Sequence, residues 1–185
     1  MRILCSVLMA AIATLALAQQ TGPYKVIKTA RTGGEGGWDY IFADAAGRRL
    51  YIPRGATRPV AATDTTPAVA AIPARLTIFN LDTLEPGGEI SGVGGNGTAV
   101  DPKSGHGFTS DHPKVSMFDT KTMMLIKSID VGAAQPDGIY FDAFNQRVYV
   151  FSHPTKDATV IDAKDGTVLG AIDLGGVPEQ GVPHG

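Results

Sequence analysis

The sequence predicts an all-β chain: an incomplete β-propeller of four-stranded blades, with about three and a half blades present. Three observations predict it: a repeat of about 41 residues, four short apolar runs in each repeat, and turn residues between the runs. Asp101 and Asp142 stand 41 positions apart, and so do His112-Pro113 and His153-Pro154. A period of roughly 40–45 residues with four strands marks a propeller blade, because one small sheet covers its apolar faces only when neighbours stack on it.

Residues 1–18 read as a removable secretory signal. Met1-Arg2 supplies a positive start, Ile3 to Leu15 is almost wholly apolar, and Ala16-Leu17-Ala18 has the small-x-small pattern that predicts cleavage after Ala18. The apolar run is too short for a transmembrane helix, so no membrane span is expected after cleavage and the product is expected in the periplasm or secreted. The only cysteine, Cys5, leaves with the signal, which removes disulfides, thiol nucleophiles and thiolate ligands from the mature chain.

Residues 19–185 are expected to form the partial propeller, with blades at about 24–91, 92–131 and 132–174 and the start of the next at 175–185. Tyr24 to Thr29 reads as an outermost strand of the kind that closes a ring. The first blade is legible in Ile41 to Asp44, Leu50 to Ile52 and Leu76 to Thr83. An insertion from Arg54 to Ala74, rich in Ala, Thr and Pro, interrupts it and reads as the least ordered mature segment, a long surface loop. The second blade's strands are expected at Thr98 to Val100, Gly107 to Thr109, Lys114 to Phe118 and Met124 to Ile129. Those of the third are expected at Gly138 to Phe141, Arg147 to Val150, Thr159 to Ile161 and Val168 to Ile172. Alternating apolar residues and β-branched enrichment favour strands over helices in all of them.

Most aspartates have a turn to make. Asp44, Asp101 and Asp142 each end an innermost strand, and Asp82, Asp119 and Asp162 each end a third strand. A carboxylate there accepts backbone N–H bonds two residues on and favours the reversal. An incomplete ring also predicts apolar surface left facing water, and self-association of the chain expressed alone.

The charge balance narrows the partners. Sixteen basic against eighteen acidic residues give a net charge of −2, with no Lys/Arg run, so nothing here provides an electrostatic footprint for nucleic acid or an anionic membrane. A neutral or cationic small molecule, or an envelope protein, fits better. Gly92-Val93-Gly94-Gly95-Asn96-Gly97 matches the dinucleotide pattern but leads into a strand, so no helix N-terminus would receive a pyrophosphate. Nucleophile-elbow, zinc-protease and phosphate-loop signatures are lacking. No catalytic residue, metal ligand or cofactor is assigned.

Topology selects the face for a site. The loops between second and third strands and the linkers between blades reach the same end of the sheets. The candidate ligand face is therefore Glu35, Trp38, Asp39, Asn96, Gln135, Asp137, Glu179, Gln180 and His184 from linkers, and His112 and His153 from loops, with Lys114 and Lys156 beside them. Trp38 is expected to wedge between blades rather than stack on a ligand. His112 and His153 occupy equivalent loops of adjacent blades, expected to be too far apart for bonds of roughly 2 Å to one shared ion.

Gly33-Gly34-Glu35-Gly36-Gly37-Trp38-Asp39-Tyr40, Gly107-Phe108-Thr109-Ser110 and Pro136-Asp137-Gly138, with the third-strand endings, resemble the YncE-like exported β-propellers of the YVTN-repeat group. The resemblance implies a seven-bladed propeller of which this chain is the first half. The insertion at Arg54 to Ala74 departs from the pattern, and so does the lack of a literal Tyr-Val-Thr-Asn. The group shares no single reaction, so the resemblance bears on fold more than on function; the polar loop-rich face is read as that of a binding or interaction module for a small molecule or protein. An enzyme of the lactonase or quinoprotein-dehydrogenase type with its site at the central mouth, or a structural envelope scaffold, are the alternatives.

Overall fold

The computed structural model describes residues 23–132 and 135–182; the predicted signal, its cleavage site, Cys5 and His184 lie outside the described residues. Residues 23–31 fall in a different compact unit from the rest and form no strand, so the closing strand expected at Tyr24 to Thr29 is not formed.

Twelve strands fold as three antiparallel four-stranded sheets, with no helix among the described residues. The first blade is β1 (Phe42–Asp44), β2 (Arg49–Arg54), β3 (Arg75–Asn80) and β4 (Pro86–Ser91). The second is β5 (Thr98–Asp101), β6 (His106–Asp111), β7 (Lys114–Asp119) and β8 (Met124–Ile129). The third is β9 (Pro136–Asp142), β10 (Arg147–Ser152), β11 (Asp157–Asp162) and β12 (Val168–Asp173). In each sheet spatial order follows chain order, and β1, β5 and β9 lie along the inner side, where β5 packs against both β1 and β9. These are propeller blades, extended by one to three residues beyond most of the spans the sequence predicts.

The apolar alternation explains how the sheets stack. Ala99 and Val100 are adjacent in β5 and therefore point to opposite faces, Ala99 into the cluster shared with the third blade and Val100 into the one shared with the first. Met117 and Phe118 in β7 divide in the same way. Phe108, Val115, Ile129, Ile139, Val148, Val150 and Ile161 fill the seam between second and third blades; Tyr51, Leu76, Ile78, Ile90 and Val93 fill the seam between first and second. The second blade is thus buried on both faces, and that burial fixes its register, since a one-residue slip would turn every core side chain to the wrong seam.

Turn chemistry is mostly as expected. Asp44, Asp101, Asp142, Asp119 and Asp162 each accept a backbone N–H two or three residues downstream, at 2.6–2.9 Å. Asp82 does not. Asn80 ends β3 and its Oδ1 takes the N–H groups of Asp82 and Thr83, at 2.8 and 2.9 Å, while Asp82 pairs with Arg48. The equivalence of the third strands runs through Asn80, because β3 stops two residues earlier than the Asp-Thr match suggests. The same face also ties blade to blade. The Arg49 guanidinium donates to the Thr120 carbonyl, and His106 Nδ1 lies 3.1 Å from the carbonyl of Ala163; each side chain opens its second strand and reaches the same point of the next blade.

The insertion is a surface loop, exposed over most of 56–73, but it starts one residue later than expected and is tied back on itself. Arg54 and Arg75 belong to β2 and β3 and are buried, and the segment between them folds back on itself. Val60 and Val69 exchange two N–H···O bonds of 2.9 Å, Thr57 N–H donates to the Ile72 carbonyl, and Thr63 and Thr66 close the tip. Backbone pairing, which a composition rich in Ala, Thr and Pro does not signal, supplies its order.

Candidate functional site

The linkers that lead into the innermost strands hold the site. Asp39, Asn96 and Asp137 each precede the strand-ending aspartate of their blade by five residues, so the repeat delivers one polar side chain from the same place on each blade. Close backbone contact seats them. Gly95 has φ of +129°, and a Cβ there would run into the Ser110 carbonyl of β6; Asn96 N–H donates to that same carbonyl at 3.2 Å. Gly138 leaves equally little room, because the carbonyl of Glu179 crosses it. In the first linker, two buried arginines do the work: Arg54 donates to the carbonyl of Gly33 at 2.7 Å, and Arg75 to the carbonyl of Glu35 at 2.7 Å.

Asp39, Asn96, His112, Gln135, Asp137 and His153 line one open cavity of about 480 Å³. All six belong to the candidate face read from the sequence. Neighbouring linkers are joined across it: Asn96 Nδ2 donates to Asp137 Oδ1 at 2.7 Å, and Tyr40 N–H donates to the Asn96 carbonyl at 2.8 Å. His153 Nε2 lies 3.0 Å from Asp137 Oδ2 and 3.5 Å from Glu179 Oε2. The Asp137 side chain is only 9% exposed and that of Glu179 73%, so one carboxylate is part of the wall and the other stands at the rim.

Other predicted residues go elsewhere. Glu35 is exposed and contributes through its carbonyl, and Gln180 is exposed at the linker crossing Gly138. Lys114 and Lys156 are exposed and outside the lining. Trp38 is 60% exposed and outside both apolar seams, so it is not a wedge between blades. The neighbouring Gly37 carbonyl accepts the Gly55 N–H at 2.9 Å, which holds this part of the linker beside the start of the insertion rather than over a seam.

Two participants escaped the sequence reading. Tyr40 donates its hydroxyl to Glu179 Oε2 at 3.2 Å, and its pKa is pushed up to about 12, first by burial and then by the Asp137 charge and the bond to Glu179. The signal was present: Tyr40 occupies the repeat position that is Gly97 and Gly138 in the next blades, an aromatic where the others have no side chain. The second is the meeting of Asp137, His153 and Glu179, whose nearest donor atoms lie within 4.8 Å of one another. Pro178-Glu179 echoes Pro136-Asp137 after 42 residues, which places Glu179 beside the preceding blade's loop and so beside His153. Next to the cavity, burial pushes the Asp111 carboxyl up, against hydrogen bonds from the Ser116 hydroxyl, at 3.0 Å, and the Gly94 backbone.

No family model matches this chain, and no curated protein matches it. Solved structures do. The chain is similar to hydrazine synthase of Kuenenia stuttgartiensis, at 20% identity and a TM-score of 0.63 over 85% of this chain and 42% of that one. It is also similar to the Cps50 (Swd1) β-propeller domain of Myceliophteria thermophila, at 12% identity and TM-score 0.55 over 80% of this chain and 41% of that one. The RRP9 WD40 repeats match at 7% identity and TM-score 0.55, over 71% and 37%. The fold is a β-propeller. The chain spans about two fifths of the length of each of these structures, and at such identities the likeness carries the fold and nothing of the chemistry.

Proposed function

We propose that this chain belongs to an exported β-propeller of the YncE-like kind, a binding module that takes a small polar ligand bearing positive charge at its loop-rich mouth. The observation that carries the reading is the cavity of about 480 Å³ lined by six polar residues from the linkers into all three blades and from the loops of the second and third. Asp39 and Asp137 line it, Glu179 stands beside His153 at the rim, and among the described residues no Lys or Arg lines it, so the mouth favours a cation or a donor-rich neutral molecule. Export rests on the signal-like sequence of residues 1–18, and an envelope protein is the natural second class of partner for a face built of loops.

A diamine such as putrescine is a fitting probe. The expected result is chemical-shift changes confined to Asp39, Asn96, His112 and Gln135 and their neighbours, with affinity lowered at least about fivefold by Asp39→Asn. Perturbations that cluster on the opposite face, or a ligand indifferent to Asp39→Asn, would refute the reading. Retention of residues 1–18 in the protein recovered from its host would refute export.

A further inference from the structure

Asp137, His153 and Glu179 offer two carboxylates and an imidazole around one point, drawn from two linkers and the loop between them in space. We propose that these three side chains form a binding site for a divalent first-row transition cation of the zinc class, with its remaining coordination position open to the mouth cavity. The proposal deepens the reading of the mouth as the ligand-binding face and rests on it.

Four observations support it. The spacing suits a shared ion: three ligands about 2.1 Å from one tetrahedral ion stand roughly 3.4 Å apart, His153 Nε2 lies 3.0 Å from Asp137 Oδ2 and 3.5 Å from Glu179 Oε2, and all three donor atoms lie within 4.8 Å of one another. His153 Nε2 is shielded from solvent and yet makes no hydrogen bond. The Asp137 oxygen beside it, at 3.0 Å, lacks the alignment of a hydrogen-bond acceptor. Both carboxylates are also held by a neighbour, Asp137 from behind by the Asn96 amide through its other oxygen at 2.7 Å, and Glu179 by the Tyr40 hydroxyl at 3.2 Å on the same Oε2 that faces His153. Such outer partners orient metal ligands. Finally, one nitrogen and two carboxylate donors suit a first-row cation better than calcium, which prefers oxygen alone. The three-ligand set with an open position is the arrangement that lets a bound cation also take a ligand from solution. His112, the sequence's other candidate imidazole, lines the cavity but is outside this trio.

The test is calorimetric titration of the tag-free full chain with zinc chloride, with calcium chloride as comparison. One saturable zinc site is expected, at least about tenfold tighter than any calcium binding. Glu179→Gln, at the exposed rim where folding is not at risk, should weaken zinc by about tenfold or more, and His153→Ala should abolish saturable binding. Tyr40→Phe, a positioning residue, should weaken it by a smaller factor, whereas Asp39→Asn should leave it within about twofold while impairing putrescine. No saturable zinc binding, calcium equal to zinc, or zinc affinity unchanged in both Glu179→Gln and His153→Ala would overturn the site. Putrescine binding that persists in such a case would show that the metal site fails while the mouth reading stands.

Discussion

The two ends of the blades carry the same residue type in opposite duties. At the turn end, Asp44, Asp101, Asp119, Asp142 and Asp162 accept backbone N–H groups two or three residues away in their own turns, Asp162 also pairing with Arg147 of its own blade. At the mouth, Asp137 accepts from Asn96, 41 residues distant, and meets His153 of its own blade and, through that imidazole, Glu179 beyond it. Local satisfaction makes a turn, and long-range satisfaction makes a site. What separates the ends is the glycine-rich linker: it removes side chains where backbone must cross backbone, so that polar side chains from successive linkers can face one another.

Substitution at a linker glycine should break this difference most severely. Gly95→Ala puts a Cβ into the Ser110 carbonyl at a φ that side chains avoid, and should cost about 3 kcal/mol or more in urea unfolding. Its counterpart at the turn end, Gly105→Ala, has only the Thr120 hydroxyl nearby, at 3.6 Å, and should cost about 1 kcal/mol, the strain of its left-handed φ alone. Equal costs would mean that the linkers are not packed as described.

Asp137→Ala should follow, at about 2 kcal/mol, because it strips the Asn96 amide of its acceptor in a half-buried place. It should also abolish the mouth's cation preference. Asp101→Ala, at a buried turn carboxylate, should cost about 1 kcal/mol and leave putrescine affinity untouched. A ligand effect from Asp101→Ala would show that the two ends are coupled.

A pH titration sharpens the turn side. The backbone N–H and hydroxyl of Thr122 hold the Asp119 carboxyl below its ordinary value of 3.8. A depressed folded pKa means that Asp119 contributes stability above 3.8 and loses it as pH falls through the folded value. Asp119→Asn should therefore flatten the acid limb of the stability curve and change little at neutral pH. The smallest effect expected is proteolytic: proteinase K should cut the native insertion within its exposed stretch at 61–71 and spare the chain at buried Arg54 and Arg75, without loss of the fold. Cleavage at Arg54 would show that the insertion begins a strand residue earlier than its pairing indicates.

Much of this was legible from the chain. β8 runs from Met124 to Ile129, as its alternation predicts, and the six lining residues of the cavity were all on the predicted face. Illegible parts share a cause. Trp38 was assigned to a seam because aromatics bury area, yet its direction depends on the Gly37–Gly55 bond, a contact across 18 residues of sequence. Tyr24 to Thr29 has strand composition, yet no strand forms there. Asp82 matched the repeat's letters, while β3 ended at Asn80 because pairing with β2 stops there.

By itself, the sequence determined the blades, their order and the end at which polar loops gather, because period, alternation and turn residues are local properties that survive without knowledge of neighbours. Tertiary structure alone decided that Asp137, His153 and Glu179 meet, that Tyr40 serves Glu179, and that Arg54 and Arg75 clamp the first linker. Those are distances between segments tens of residues apart, set by how closely glycine linkers let one blade's backbone cross the next, and no linear pattern encodes them.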